Sequence, residues 1–127
     1  MNLEKVVFGF FIILAMTLNF SFVYGEIDNP NHHIVTEFFL VVVVNLIATS
    51  LKLGDRSQIG ALLLATSLVA DLQLIAAAII WSVSAHVHET GTTSAAFVLI
   101  VSLSAGALVS NIISVVVVVA ETLMLRR

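Results

Sequence analysis

Apolar residues run in four long stretches along the chain, and short polar segments separate them. The stretches cover residues 6–24, 35–51, 59–82 and 95–125. Each is long enough for a helix to cross the hydrocarbon core of a bilayer, which takes about 20 residues. None shows the two-residue alternation of a barrel strand, and lipid admits only helices or closed barrels. The pattern therefore predicts an all-α membrane protein whose four transmembrane helices form an up-and-down bundle, a single domain over residues 1–127.

Composition supports this class and excludes others. The chain is 60% apolar and 10% charged, with a mean hydropathy of +1.14. It has no cysteine, which excludes thiol catalysis and cysteine-ligated metals. A net charge of −3 gives no reason to expect nucleic acid as a partner. The sequence contains no phosphate loop, nucleophile elbow or dinucleotide fingerprint, so we expect neither an enzyme nor a bound cofactor.

The basic residues all fall on one side of the predicted membrane. They are Lys5, Lys52, Arg56, Arg126 and Arg127. Because Lys and Arg are retained in short cytoplasmic loops, both termini are predicted to be cytoplasmic. An alternative is that the first stretch is a signal peptide cleaved near Gly25, which would leave three spans.

Residues 53–58 form a short turn, which predicts that the second and third helices are antiparallel neighbours. Gly54 suits a helix end, and Asp55 followed by Gln58 has the form of a capping box. The fourth stretch is longer than a perpendicular crossing needs. It must tilt, leave the membrane or break, and residues 104–106 are the expected weak point.

Small residues follow one another at helical spacing on the fourth stretch. Ser102, Gly106 and Ser110 form a small-xxx-small stripe on one face. Such a stripe allows another helix to approach closely. We therefore predict a helix-packing surface there.

Three of the stretches carry a strongly polar residue near their middle. Asp71 lies halfway along the third, and an ionisable group at that depth costs on the order of 2.5 kcal/mol or more. Asn45 and Asn111 lie near the middle of the second and fourth stretches, which predicts one polar layer. Helical spacing extends it into polar faces that reach the cytoplasmic side. These faces comprise Gly60, Ser67 and Asp71 on the third helix, Asn45, Thr49 and Lys52 on the second, and Ser104, Ala107, Asn111, Ser114 and Glu121 on the fourth.

Asp71 admits two interpretations. Hydrogen bonds from Asn45 and Asn111 would make it a structural link between three helices. We favour a functional role, because an amide would link helices without the insertion cost of an acid. Gln73 follows two residues later and is expected to face elsewhere, towards another subunit.

All four histidines lie in the loops predicted to face outward. They are His32, His33, His86 and His88. Convergence of the two loops would give an outer-face Zn²⁺ site or a pH sensor, although histidine pairs are also common in exposed loops. Trp81 and Tyr24 are predicted to anchor the helices at the outer interface.

Three segments resemble a family of small four-span bacterial inner-membrane proteins of unknown function. They are Asn45–Thr49, Gly54–Arg56 and Ala65–Gln73. The resemblance covers most of the chain and implies the same topology and a bacterial inner membrane. It supplies no activity and no site residues.

Our leading hypothesis is a channel or ion-coupled protein that passes a proton or cation beside Asp71. Four helices can hardly enclose both a core and a pore, so a homo-oligomer in the lipid bilayer is expected. The alternative is a non-conducting accessory or scaffold subunit with a membrane-protein partner. A third hypothesis is the outer-face sensor.

Overall fold

The computed structural model describes residues 3–24, 35–87 and 93–125, apart from the side chains of residues 86, 87 and 125. It contains four α-helices: α1 (Leu3–Val23), α2 (Val35–Lys52), α3 (Gln58–Val87) and α4 (Ser94–Leu125). All four are long and apolar enough to cross a membrane. The prediction of an all-α membrane protein with four transmembrane helices is confirmed, although α3 extends further at its C-terminus than expected.

The helices form a ring in chain order. Neighbouring pairs are α1 with α2, α2 with α3, α3 with α4, and α4 with α1. Consecutive helices are antiparallel. The end of α1 contacts the start of α2 through a 2.7 Å hydrogen bond from Ser21 Oγ to Glu37 Oε2. Trp81 near the end of α3 contacts Phe38 near the start of α2 and Phe97 near the start of α4. Each helix therefore buries two faces, one towards each neighbour.

The turn between α2 and α3 is capped by Ser57 rather than by the predicted box of Asp55 and Gln58. Ser57 Oγ accepts a 2.9 Å hydrogen bond from the Gly60 N–H in the first turn of α3. Asp55 Oδ1 instead accepts from the Ser57 N–H and hydroxyl, at 2.9 and 2.8 Å. These bonds, helped by Lys52, hold the pKa of Asp55 below its usual value. Gly54 takes the left-handed conformation, φ 89°, that favours glycine.

One end of the bundle is closed by four aromatic side chains, one from each helix. We call them the aromatic layer: Phe22, Phe38, Trp81 and Phe97. Their ring centroids lie 5.2–6.0 Å apart in consecutive contacts. The Trp81 ring packs into this layer and is partly exposed, so its role as an interface anchor stays a prediction. Tyr24 is 71% exposed, as an interface residue would be.

A second apolar cluster lies near the opposite end. Its buried members are Phe8, Ile12, Ala48 and Leu63. We call this the lysine end, because Lys5 and Lys52 also lie there. The interior between the aromatic layer and this cluster contains both apolar and polar side chains.

Helix α4 runs without interruption through residues 104–106, so of the three alternatives for this long helix a break does not occur. The stripe on this helix is also not a free surface. Gln73 of α3 covers Gly106, and its Nε2 would lie 2.6 Å from a Cβ added there. Gln73 therefore packs against α4 of its own chain, and its predicted orientation towards another subunit is wrong. Ser110 is buried while Ser102 is exposed.

Candidate functional site

Asp71 lies in the interior of the bundle, where α3 faces α2. Its side chain is 6% exposed. Thr49 donates a 2.5 Å hydrogen bond from Oγ1 to Asp71 Oδ2. Asp71 Oδ1 is buried and has no hydrogen-bond partner in the described part of the chain. The structure therefore places a half-satisfied carboxyl group between two helices.

Three buried asparagines surround the interior, and each comes from a different helix. Asn45 Nδ2 donates to the Val41 carbonyl at 2.9 Å, whereas its Oδ1 has no partner among the described residues. Both amide atoms of Asn19 and of Asn111 lack a partner there as well. The hydrogen bonds predicted from Asn45 and Asn111 to Asp71 are thus not made.

Hydroxyl groups on α3 and α4 continue the polar interior, and one pair of them links the two helices. Thr66 Oγ1 and Ser114 Oγ lie 2.5 Å apart, and Ser104 Oγ donates to the Ile100 carbonyl at 2.8 Å. Ser67 lies one turn from Asp71, and its buried Oγ has no partner in residues 3–24, 35–87 and 93–125. We call the following buried polar residues of the bundle interior the polar lane: Asn19, Asn45, Thr49, Ser67, Asp71, Ser104, Asn111 and Ser114.

The polar lane descends through the bundle rather than forming one level. The depth of each residue along its helix follows from the number of residues between it and the aromatic-layer residue of that helix, at about 1.5 Å per residue. Asn19 lies about 5 Å below the aromatic layer. On the same count Asn45 lies at about 10 Å, Asp71 at about 15 Å and Asn111 at about 21 Å. The polar groups predicted to share one depth are therefore staggered along the bundle axis.

Glu121 lies beyond the lower end of the polar lane, between α4 and α1. Its Oε1 is 3.3 Å from Lys5 Nζ, and both side chains are partly exposed. A cavity of about 40 Å³ joins this ion pair to Lys52 and Phe8. That volume has room for water, which needs about 10–15 Å³.

Asn19 is the member of the polar lane that the sequence reading missed. It is fully buried, yet it lies in α1, which carries no acid at membrane depth. The sequence alone could have indicated this polar position, because Asn19 is the strongest hydrogen-bonding side chain between Lys5 and Glu26. An amide at that position needs a polar environment.

Most of the histidines predicted to bind metal lie outside the residues that the structure describes. His32, His33 and His88 lie outside the described residues, and the backbone of His86 belongs to α3 while its side chain is not described. The outer-face sensor therefore stays a prediction.

The arrangement is that of a small four-helix membrane protein with a polar interior, and comparison with protein families agrees. Residues 32–122 match the model of a family of unknown function, DUF6394. The chain belongs to this family, which confirms the predicted resemblance to small four-span proteins of unknown function. The match covers α2, α3 and nearly all of α4. No curated protein and no solved structure matches the chain.

Proposed function

We propose that this protein binds a proton at Asp71 and passes it across the membrane along the polar lane. The observation that carries the proposal is a carboxyl group buried between apolar ends and only half satisfied by hydrogen bonds. A charged side chain in the middle of a bilayer costs about 2.5–3.5 kcal/mol on insertion scales. An asparagine would link the same helices without that cost, so the acid itself calls for an explanation.

The contacts of Thr49 favour a proton over a metal cation. Thr49 Oγ1 lies 2.5 Å from Asp71 Oδ2 and 3.0 Å from the backbone carbonyl oxygen of Asn45. One hydroxyl proton serves only one of these acceptors well. A proton on Asp71 resolves the conflict by reversing the first bond. Asp71 then donates to Thr49, and Thr49 donates to the backbone carbonyl of Asn45. This chain of hydrogen bonds supports a neutral, proton-carrying Asp71.

The lane offers further groups for a proton relay. Buried oxygens of Asn45, Ser67 and Asn111 lack partners among the described residues, and such groups hold water in protein interiors. Glu121 continues the series of acids towards the lysine end. The same oxygens are ligands that a hard metal cation accepts, so a metal cation is the alternative ion.

Apolar side chains close this conformation at both ends. The aromatic layer lies above the polar lane, and the cluster around Phe8 and Leu63 lies below it. We therefore propose that Asp71 is loaded and released by rearrangement at one end at a time, rather than through an open pore. Such gating motions of helices take microseconds to milliseconds.

Proton flux into liposomes tests the proposal. Purified protein is reconstituted with a pH-sensitive dye inside, and a potassium gradient with valinomycin drives proton entry. We expect Asp71→Asn to reduce flux to that of empty liposomes, because an amide has the shape of the acid but carries no exchangeable acidic proton. Glu37→Gln is the matched control, since it removes a carboxyl outside the polar lane. It should leave flux unchanged.

Other results would decide against the proposal. Equal flux through the native chain and Asp71→Asn would exclude a role for this carboxyl. Absence of native flux for protons, Na⁺ and K⁺ would favour the accessory or scaffold function, for which the enclosed Asp71–Thr49 contact would serve as a helix link. A stoichiometric foreign subunit recovered from native membranes would support that alternative directly.

Assembly and orientation belong to the same proposal. A homo-oligomer in a bacterial inner membrane remains our expectation, but the polar lane does not require one, because Asp71 is already buried within a single chain. Both termini are proposed to be cytoplasmic on the distribution of Lys and Arg. Because the chain has no cysteine, a single introduced cysteine can report on which side of the membrane it lies. In intact cells Ser94→Cys should react with a membrane-impermeant maleimide, and Gln58→Cys should not. The reverse pattern would invert the orientation.

A further inference from the structure

A pocket of about 370 Å³ opens at the lysine end, between the start of α1 and the turn after α2. Its volume falls in the range of about 300–1,000 Å³ that is typical of sites for small molecules. Both signs of charge line it, together with Leu51, Leu53 and Gly54; the charged residues are Glu4, Lys5, Lys52 and Asp55. None of them belongs to the polar lane, although Lys5 also forms an ion pair with Glu121 beyond the lower end of the lane.

The charged groups on the α2 side are held in place before any ligand binds. Lys52 Nζ lies 4.4 Å from the centroid of the Phe8 ring and 3.5 Å from Asp55 Oδ2. Only 14% of the Lys52 side chain is exposed. Asp55 is in turn fixed by its two hydrogen bonds from Ser57. A preorganised pair of opposite charges lowers the entropy cost of binding.

The shape of the pocket leaves room beside these charges. No atom lies within 4 Å of the position that a Cβ on Gly54 would take, so the turn leaves open space at this wall. Leu51 and Leu53 are exposed and give the pocket an apolar rim. The ends of membrane-spanning helices lie at the depth of lipid headgroups, where a ligand with a polar head and an apolar tail would be presented.

We propose that this pocket binds the headgroup of a zwitterionic phospholipid that carries a primary amine. The ammonium groups of Lys5 and Lys52 contact the phosphate, and the carboxylates of Glu4 and Asp55 accept hydrogen bonds from the amine. The two leucines contact the glycerol and the first acyl carbons. Two positive and two negative side chains match the balanced charge of such a headgroup, whereas a purely anionic lipid would meet the two carboxylates unfavourably.

Native mass spectrometry of the purified full-length protein tests this site. Phosphatidylethanolamine, phosphatidylglycerol and phosphatidylcholine are added in turn, and bound lipid is counted. We expect phosphatidylethanolamine to bind best, and the double variant Lys5→Gln, Lys52→Gln to bind it more than tenfold more weakly, at about fivefold for each lysine. Arg56→Gln is the matched control: it removes an exposed positive charge from the same turn outside the pocket, and it should change nothing.

Glu4→Gln tests the proposed contact between the carboxylates and the lipid amine. Phosphatidylcholine has the same charges but no N–H to donate, so the native chain should prefer phosphatidylethanolamine and Glu4→Gln should reduce that preference. Equal binding of these two lipids by the native chain would overturn the assignment of Glu4 and Asp55 to an amine. Equal phosphatidylethanolamine binding by the native chain and the double lysine variant, both with unchanged helical circular dichroism, would overturn the site itself.

Discussion

The aromatic layer and the polar lane lie next to each other in one bundle, and both draw side chains from all four helices. In the aromatic layer each ring contacts at least one ring of another helix, and the Trp81 indole N–H is the one polar group of its four side chains. In the polar lane, buried atoms of Asn19, Asp71 and Asn111 lack partners among the described residues. Packing between helices is a main source of stability within a membrane. We therefore expect the aromatic layer to contribute mainly to stability, and we place the proposed proton chemistry in the polar lane.

Removing a ring from the aromatic layer should have the largest effect on stability. Phe22 is fully buried and contacts both Phe38 and Trp81. We expect Phe22→Ala to lower the free energy of unfolding by about 2–3 kcal/mol, because it leaves a cavity that the rigid layer cannot close. Unfolding in mixed detergent micelles measures this value.

Phe20→Ala is the control for that prediction. Phe20 is 56% exposed on the same helix, and its loss should cost less than about 0.5 kcal/mol. Equal effects of the two substitutions would mean that the aromatic layer is not the stable part of the bundle.

The α3–α4 interface offers a test of intermediate size. A Cβ on Gly106 would lie 2.6 Å from Gln73 Nε2, which is too close for both groups to keep their places. We expect Gly106→Ala to destabilise the bundle by about 1 kcal/mol, the low end for overpacking, because the end of the Gln73 side chain can move away. Combining it with Gln73→Ala should recover most of that loss, and the double-mutant cycle reports the coupling.

Gly9 provides the opposite case within the same protein. No atom lies within 4 Å of its Cβ position, so Gly9→Ala should be neutral or stabilise α1 by up to about 1 kcal/mol. Destabilisation at Gly9 and tolerance at Gly106 would show that the two helices pack differently from the arrangement described above.

The sequence predicted the four helices, their order and the short turn, because lipid restricts apolar stretches of this length to helices. It also predicted that Asp71 and Thr49 lie on polar faces, since helical spacing decides which residues share a face. It failed for Gln73. Spacing shows that two residues point in different directions, but it does not show that α3 has a neighbouring helix in each direction. That information comes only from the ring arrangement.

Thr49 gives the smallest expected change in stability and the sharpest test of the polar lane. Thr49→Val keeps the side-chain volume and removes the hydroxyl that contacts Asp71 Oδ2. Interhelical hydrogen bonds in membranes contribute about 0.6 kcal/mol on average, so the loss should be close to that value. Thr17→Val removes an exposed hydroxyl that bonds only within α1 and should be neutral. Proton flux should nevertheless fall strongly in Thr49→Val, because Asp71 loses the hydroxyl group with which it would exchange a proton. Normal flux together with a loss above about 2 kcal/mol would instead make the hydroxyl a structural link, and the lane would then resemble the aromatic layer in role.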